Sequence, residues 1–411
     1  MEIRALLSAM WRNRTGPILV AAQVAITLAI VVNVGYIVQL RLQNMAEPTG
    51  FDVPNIFWVV SQAYTPEYNH AVTVQADLNY LQSLPGVVAA ATTSHIPQGF
   101  GSSSLPFAAD PAVLEKGGGE PAIIYFGSEK LIETLGIKLL AGRTFDAAAV
   151  RPPATDGREM FGNWSSEVVI TRNLADKLFP KGNALGKTLH AGLVNKPATI
   201  VGIVEFVQHM PAMGRAAEFF RTAVMLPAIV PGPNTAYLVR TRPGMRDATM
   251  ARVEKEMADL QPGRYLASME SLSTTVDRQR LSSRSSTVTL SIVALFVLGV
   301  TMVGIVGLAA FTVATRTKQL GTRRAIGATR FQIVRYFLVE NWIITSAGVL
   351  IGSALALAAG IKLSEIYATP RLPLFYIVGG IVTLWVVGQL SVLIPARRAA
   401  SISPAVATRT V

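Results

Sequence analysis

Four stretches of this 411-residue chain contain no Asp, Glu, Lys, Arg or His: Pro17–Leu40, Ser285–Thr315, Asn341–Ile361 and Leu372–Ala396. They run for 24, 31, 21 and 25 residues, and about 20 apolar residues cross a bilayer as a helix. Hydrocarbon offers no water to a backbone amide, so each stretch must bond to itself as a helix. The pattern predicts a membrane protein with one transmembrane helix before, and three after, a polar segment at residues 41–284. The first stretch exceeds the roughly 7–15 residues of a leader's apolar region. Gln39-Leu40-Arg41-Leu42-Gln43 also offers no small-residue cleavage site, so a retained anchor at 17–40 is expected.

Charge sets the expected orientation. The net charge is +12, from 37 basic and 25 acidic residues. Residues 1–16, 315–341 and 396–411 together hold twelve basic residues against two acidic ones, Glu2 and Glu340. Basic residues flanking spans stay on the cytoplasmic side. Both termini and the 316–340 segment are therefore expected in the cytoplasm, with 41–284 outside it. Positive charge held at span ends, instead of on one face, argues against a nucleic-acid partner. Cysteine is absent, which excludes disulfides, thiol chemistry and Cys-based metal sites.

The N-terminal segment 1–16 places Ile3, Leu6, Leu7 and Met10 on one helical face, the pattern of an amphipathic helix lying on the membrane. Across 41–284, helical periodicity at Val74–Leu84 and Asp247–Leu260 alternates with strand-like runs. Those runs are Val87–Ala91, Ala122–Phe126, Val168–Thr171, Ala198–Val207, Ala223–Leu226 and Ala236–Arg240. The mixture predicts a large α+β domain of two subdomains, not a β-barrel. Pro97–Gly119, rich in Gly, Pro and Ser, reads as a mobile loop between them. The second apolar stretch carries helical patterning from near Leu272 to about Leu320, predicting one long rod that projects from both membrane surfaces.

Catalytic signals are poor. Gly182-Asn183-Ala184-Leu185-Gly186-Lys187-Thr188 imitates a phosphate-binding loop, but the spacing G-x-x-x-x-G-K-[ST] demands glycine at 181, where lysine stands. The four histidines, His70, His95, His190 and His209, have no metal-ligand spacing, and no G-x-S-x-G elbow or carboxylate pair occurs. No cofactor, metal site or enzymatic activity is expected, ATP hydrolysis included. The spans hold no ionisable residue, so a proton- or ion-coupled conduit is not expected. Gly348, Gly352, Ala356 and Gly360 instead form a four-residue stripe that permits close helix contact, either within one subunit or between two. Membrane lipid is the expected surrounding.

The most informative segment runs from Arg316 to Gln332. Gly327 breaks a basic helix, and Thr329 with Gln332 has capping-box spacing. The result is a short exposed bend carrying Arg323, Arg324, Ala325, Ile326, Gly327 and Ala328. These residues resemble a known signature. Arg316-Thr317-Lys318-Gln319-Leu320-Gly321-Thr322-Arg323-Arg324-Ala325-Ile326-Gly327-Ala328 is similar to the R-T-+-E-I-G-I-R-R-A-L-G-A segment of MacB/FtsX-type ABC transporter permeases. Gln319 and Thr322 depart from it. Pro395-Ala396-Arg397-Arg398-Ala399-Ala400 resembles the same family's tail. Leu84-Pro85-Gly86-Val87, Gly142-Arg143-Thr144-Phe145 and Leu185-Gly186-Lys187-Thr188 are similar to pieces of MacB-type external domains, which makes the false phosphate loop a structural turn.

The resemblance implies a MacB-like extracytoplasmic core domain (41–284) and an FtsX-like permease domain (285–411) in a bacterial inner membrane. It implies a permease subunit working by mechanotransmission, with the bend 323–328 contacting a separate ABC ATPase subunit. A second permease subunit would complete a dimer, homo- or heteromeric, and proteins of this kind often use a periplasmic adaptor and an outer-membrane channel. The output would be efflux or extraction of substrates on the far side of the membrane. The alternative within the same resemblance is an FtsX-like signalling permease that activates an extracytoplasmic partner such as a cell-wall hydrolase.

Overall fold

The computed structural model describes residues 14–65, 69–99, 101–151, 164–180, 182–205, 207–210, 212, 214–230, 233–367 and 369–401. The amphipathic segment expected at 2–12 lies outside the described residues, as does the end of the tail. Two compact units emerge, one of residues 44–283 and one of residues 1–43 with 284–411.

The first unit is built on eleven strands: β1 (Ile56–Ala63), β2 (Val87–Thr93), β3 (Ser104–Ala108), β4 (Glu120–Gly127), β5 (Leu139–Gly142), β6 (Glu167–Thr171), β7 (Thr188–Ala191), β8 (Val194–Val204), β9 (Ala223–Pro227), β10 (Asn234–Thr241) and β11 (Arg264–Ser271). Every strand-like run of the sequence lies within or overlaps one of them. One part is a four-stranded antiparallel sheet, ordered β11-β1-β10-β2. The helices His70–Ser83 and Arg246–Glu256 supply its cover, with Val74, Leu78, Leu81 and Val253 buried beside Phe57, Tyr237 and Val239. Among the described residues a single register pair, Thr93↔Gly127, joins this sheet to the other strands.

The other part pairs its strands around a ring. Strand β4 pairs with β3, β3 with β7, β7 with β8, β8 with β6, β6 with β9, and β9 returns to β4. These six strands form a closed circuit inside the α+β unit. Alternation along β4 follows from the two-residue period of a strand: Ile124 and Phe126 enter one buried cluster with Val168, Ile170, Val224 and Leu226. Ile123 and Tyr125 enter another with Val169 and Met225. Strand runs read singly carry no information about which ends meet, so the closure was not visible in them.

Pro97–Gly119 is likewise not a plain loop, because it contains β3 and a short helix, Pro111–Glu115, capped by the Asp110 carboxylate. Leu105 and Phe107 alternate inward along β3 while Pro106 faces out. The proline and flanking serines masked a strand that is only five residues long.

Among the described residues four helices are long and apolar enough to span a membrane, and the second unit holds most of their length: Thr15–Ala46, Leu272–Thr315, Arg330–Tyr367 and Leu374–Ser401. We denote these M1 to M4. M2 begins at the predicted Leu272 but ends at Thr315 instead of Leu320; Arg316 has φ −104° and ψ 12°, and a separate helix, Thr317–Ala325, follows.

Candidate functional site

The small-residue stripe of M3 packs against M1 of the same chain. A Cβ on Gly348 would stand 2.6 Å from the Ala21 carbonyl oxygen, and one on Gly352 would stand 2.8 Å from that of Ala25. Ala356 is fully buried, and its carbonyl accepts from Asn33 Nδ2 at 3.1 Å. Gly360 approaches the Asn33 side chain. Contacts this close require residues without bulk. The facing side chains of M1, Val20, Val24, Leu28 and Val32, repeat every four residues and are all buried. Asn33 and Gln23 thus bind M1 to its neighbours, since Gln23 Nε2 also donates to the Val300 carbonyl of M2 at 3.0 Å.

The bend between M2 and M3 is held from below by side chains and open above. Arg316 Nη1 donates to Tyr336 Oη at 3.1 Å and reaches Glu340 Oε1 and Oε2 at 3.2 and 3.3 Å. The Arg323 guanidinium lies 5.2 Å from the Tyr336 ring centroid, a cation–π distance. Leu320 and Gly321 are buried beneath the helix. Gly327 then turns the chain with φ 103°, a conformation that a side chain would strain. The next helix starts with the reciprocal bonds of a capping box: Gln332 N–H donates to Thr329 Oγ1 at 3.3 Å, and Thr329 N–H to Gln332 Oε1 at 2.9 Å.

This anchoring leaves an outward face. Ile326 is 81% exposed and Phe331 73%, and Gln319, Thr322, Arg323 and Ala325 are exposed beside them. Arg324 and Ala328 are half-buried. An apolar side chain held out on a fixed basic turn is suited to entering a pocket of a partner protein. The sequence pointed to the turn but not to its supports. Glu340, the lone acid of the 315–341 segment, was the available signal, while Tyr336 carried none.

In the first unit, chain-distant histidines meet. His209 is fully buried. Its Nε2 lies 3.1 Å from the Gly101 carbonyl, and its Nδ1 lies 2.5 Å from Tyr125 Oη. A carbonyl only accepts, so Nε2 carries the hydrogen and Tyr125 donates to Nδ1. His95 stands 6.2 Å from His209, ring to ring. Burial pushes the His209 imidazole down to about 4, and the same cause raises the Tyr125 phenol. Among the described residues no three His, Asp or Glu side chains gather as metal ligands.

Residues 18–260 match the MacB-like periplasmic core domain, and residues 291–404 match the FtsX-like permease C-terminal domain. Over 294 residues the chain is 26% identical to the macrolide export ATP-binding/permease protein MacB of Neisseria gonorrhoeae (strain ATCC 700825 / FA 1090), covering 69% of this chain and 42% of that protein. The chain thus spans less than half the length of this relative. It is 24% identical over 278 residues to the uncharacterized ABC transporter permease YknZ of Bacillus subtilis (strain 168), covering 66% of each. Among solved structures, the periplasmic region of MacB from Actinobacillus actinomycetemcomitans aligns with a TM-score of 0.32 and 13% identity, over 58% of this chain and 97% of that one.

Proposed function

Since the chain belongs to the ABC transporter permeases with a MacB-like periplasmic core domain and an FtsX-like C-terminal domain, we propose that it converts ATP hydrolysis by a separate ATPase subunit into movement of its extracytoplasmic unit. The observation that carries this reading is M2. Its 44 residues form one uninterrupted helix, about 66 Å long at 1.5 Å per residue. Leu272 and Val276 at one end are buried in the core of the first unit, and at the other end Arg316 joins the bend. A continuous helix resists bending within itself, so displacement of the bend is delivered along its length. Residues 323–328 are the ATPase contact, with the permease paired as a dimer in the bacterial inner membrane and both termini in the cytoplasm. Substrate is expelled or extracted on the far side, without a polar conduit through the spans.

Burial of the Ile326 side chain in an ATPase pocket would contribute about 2 kcal/mol, or roughly thirtyfold in affinity. The full-length permease is purified from membranes, and the bound fraction is probed for a protein carrying both a phosphate-binding loop and an ABC signature. Ile326→Asp should release that protein at least thirtyfold more readily, and Arg324→Glu should weaken it further. Retention of the ATPase in both variants would discredit the contact.

A further inference from the structure

A half-enclosed cavity of about 180 Å³ lies within the second unit, where M1 begins and M2 ends. Its walls are apolar: Pro17 and Val20 of M1, Ile305, Leu308 and Phe311 of M2, and Ile344 of M3. Arg316 and Glu340 line it as well. The uncharged stretches of M1 and M2 stop at Pro17 and Thr315, so the cavity sits at the membrane's edge on the bend's side. Phe311 is 65% exposed, so the cavity reaches the outer surface of M2.

The chemistry of the lining says what fits. A guanidinium carries several N–H donors, and a single nitrogen of Arg316, Nη1, serves both Tyr336 and Glu340. Nε and Nη2 have no hydrogen-bond partner among the described residues, although the side chain is only 20% exposed. That edge of a guanidinium offers the parallel donors that a carboxylate takes with both oxygens. Charge around the mouth favours an anion too, since Arg316, Lys318, Arg323, Arg324, Arg330 and Arg335 outnumber Glu340, the lone acid of residues 315–341. The walls, in contrast, offer nothing to a small soluble anion and demand an apolar body behind the charge. The space is little larger than the cavity of about 150 Å³ that holds one benzene, so it admits one hydrocarbon chain and not two.

We propose that the cavity binds a single-chain amphiphile ending in a carboxylate, a fatty acid of the leaflet on the bend's side. Its carboxylate accepts from Nε and Nη2 of Arg316, its first methylenes lie against Val20, Ile305 and Ile344, and the remaining chain leaves past Phe311 into the bilayer. Once bound, it holds Arg316 from a second side, opposite the grip of Glu340, at the point where M2 meets the bend. Occupancy therefore stiffens the joint through which M2 would be driven. The site needs only that the helices span a membrane; it stands or falls apart from the ATPase contact.

The chain has no cysteine, so Ala309→Cys places a lone thiol in the cavity wall. The full-length variant, in mild detergent and mildly alkaline buffer, is labelled with methyl methanethiosulfonate in the presence of dodecanoate, dodecanol or dodecyltrimethylammonium. Dodecanoate should protect the thiol at about tenfold lower concentration than dodecanol, the worth of a charge-assisted hydrogen bond, and dodecyltrimethylammonium should protect least. Adding Arg316→Gln should erase the preference for dodecanoate over dodecanol. Adding Glu340→Gln keeps an acceptor for Arg316 but removes the competing charge, so dodecanoate should protect at still lower concentration. A merely loosened bend would shift protection the other way. Equal protection by the three amphiphiles would overturn the proposal, and so would weaker protection by dodecanoate after Glu340→Gln. A thiol shielded without any amphiphile, and bared when the protein dissociates to monomers, would also overturn it by assigning the cavity's cover to a second copy.

Discussion

Acidification should destabilise the unit of residues 44–283 through His209, by an amount that the surroundings of its ring set. The ring already donates from Nε2 to the Gly101 carbonyl and accepts at Nδ1 from Tyr125. A proton added at Nδ1 would turn the Tyr125 hydroxyl around, and that hydroxyl has no other acceptor among the described residues. Burial, with His95 nearby, holds the folded-state imidazole down to about 4, against about 6.5 in the unfolded chain. Between those values the unfolded state binds more protons, so stability rises with pH there. The contribution is complete above about pH 6.5 and is lost as pH falls toward 4. From the two values, a drop from pH 7.5 to 5.0 costs about 2 kcal/mol, and the loss is bounded near 3.4 kcal/mol. For a unit of this size 2 kcal/mol corresponds to about 4–8 °C in Tm. The assay is thermal unfolding of the purified chain at both pH values, for the wild type and His209→Gln, whose amide oxygen can accept from Tyr125. The wild type should lose about 4–8 °C more than the variant on acidification. Equal losses would refute the argument, because the other titrating groups are common to both proteins.

Other outcomes follow from packing and pairing. Arg264 and Asp77 form an ion pair whose side chains are both fully buried, with Tyr237 Oη donating to the same carboxylate at 2.7 Å. Asp77→Ala should cost about 3–5 kcal/mol, because it strands a buried guanidinium, whereas Asp77→Leu with Arg264→Met should cost much less. Chemical denaturation compares them. In the second unit Gly352→Leu should separate M1 from M3, because a Cβ at position 352 would stand 2.9 Å from Ala25 Cα. The expected penalty of several kcal/mol would be read as loss of folded protein in detergent extracts. Thr329→Ala breaks one half of the capping box and should cost about 1 kcal/mol, visible as a slightly lower Tm with ATPase binding retained.

What the sequence disclosed was whatever depends on local pattern. Four uncharged stretches announced four helices, and Thr329 with Gln332 announced a cap that forms with both of its bonds. The periods at Val74–Leu84 and Asp247–Leu260 placed two covering helices. What stayed hidden depends on meetings between distant residues. Pairing of Ile123 with Ala223, and of His209 with Tyr125, leaves no mark on either segment alone. The bend was legible because glycine and charge act locally. Its support was not, since Arg316 must reach Tyr336 and Glu340 across a turn. The stripe 348–360 was legible as a contact surface, but its partner became identifiable only from the positions of Ala21 and Ala25.

The six-strand circuit has a consequence for how the chain is made. Its closing seam joins Ile123 to Ala223, one hundred residues later, so during synthesis β4 waits with a bare edge until β9 has emerged. Unpaired strand edges invite wrong partners while they last. With no cysteine to hold a half-built ring, only completion of the polypeptide through β9 seals it. Nascent chains halted before that strand should therefore be the aggregation-prone species, and holding chaperones should engage them most strongly there.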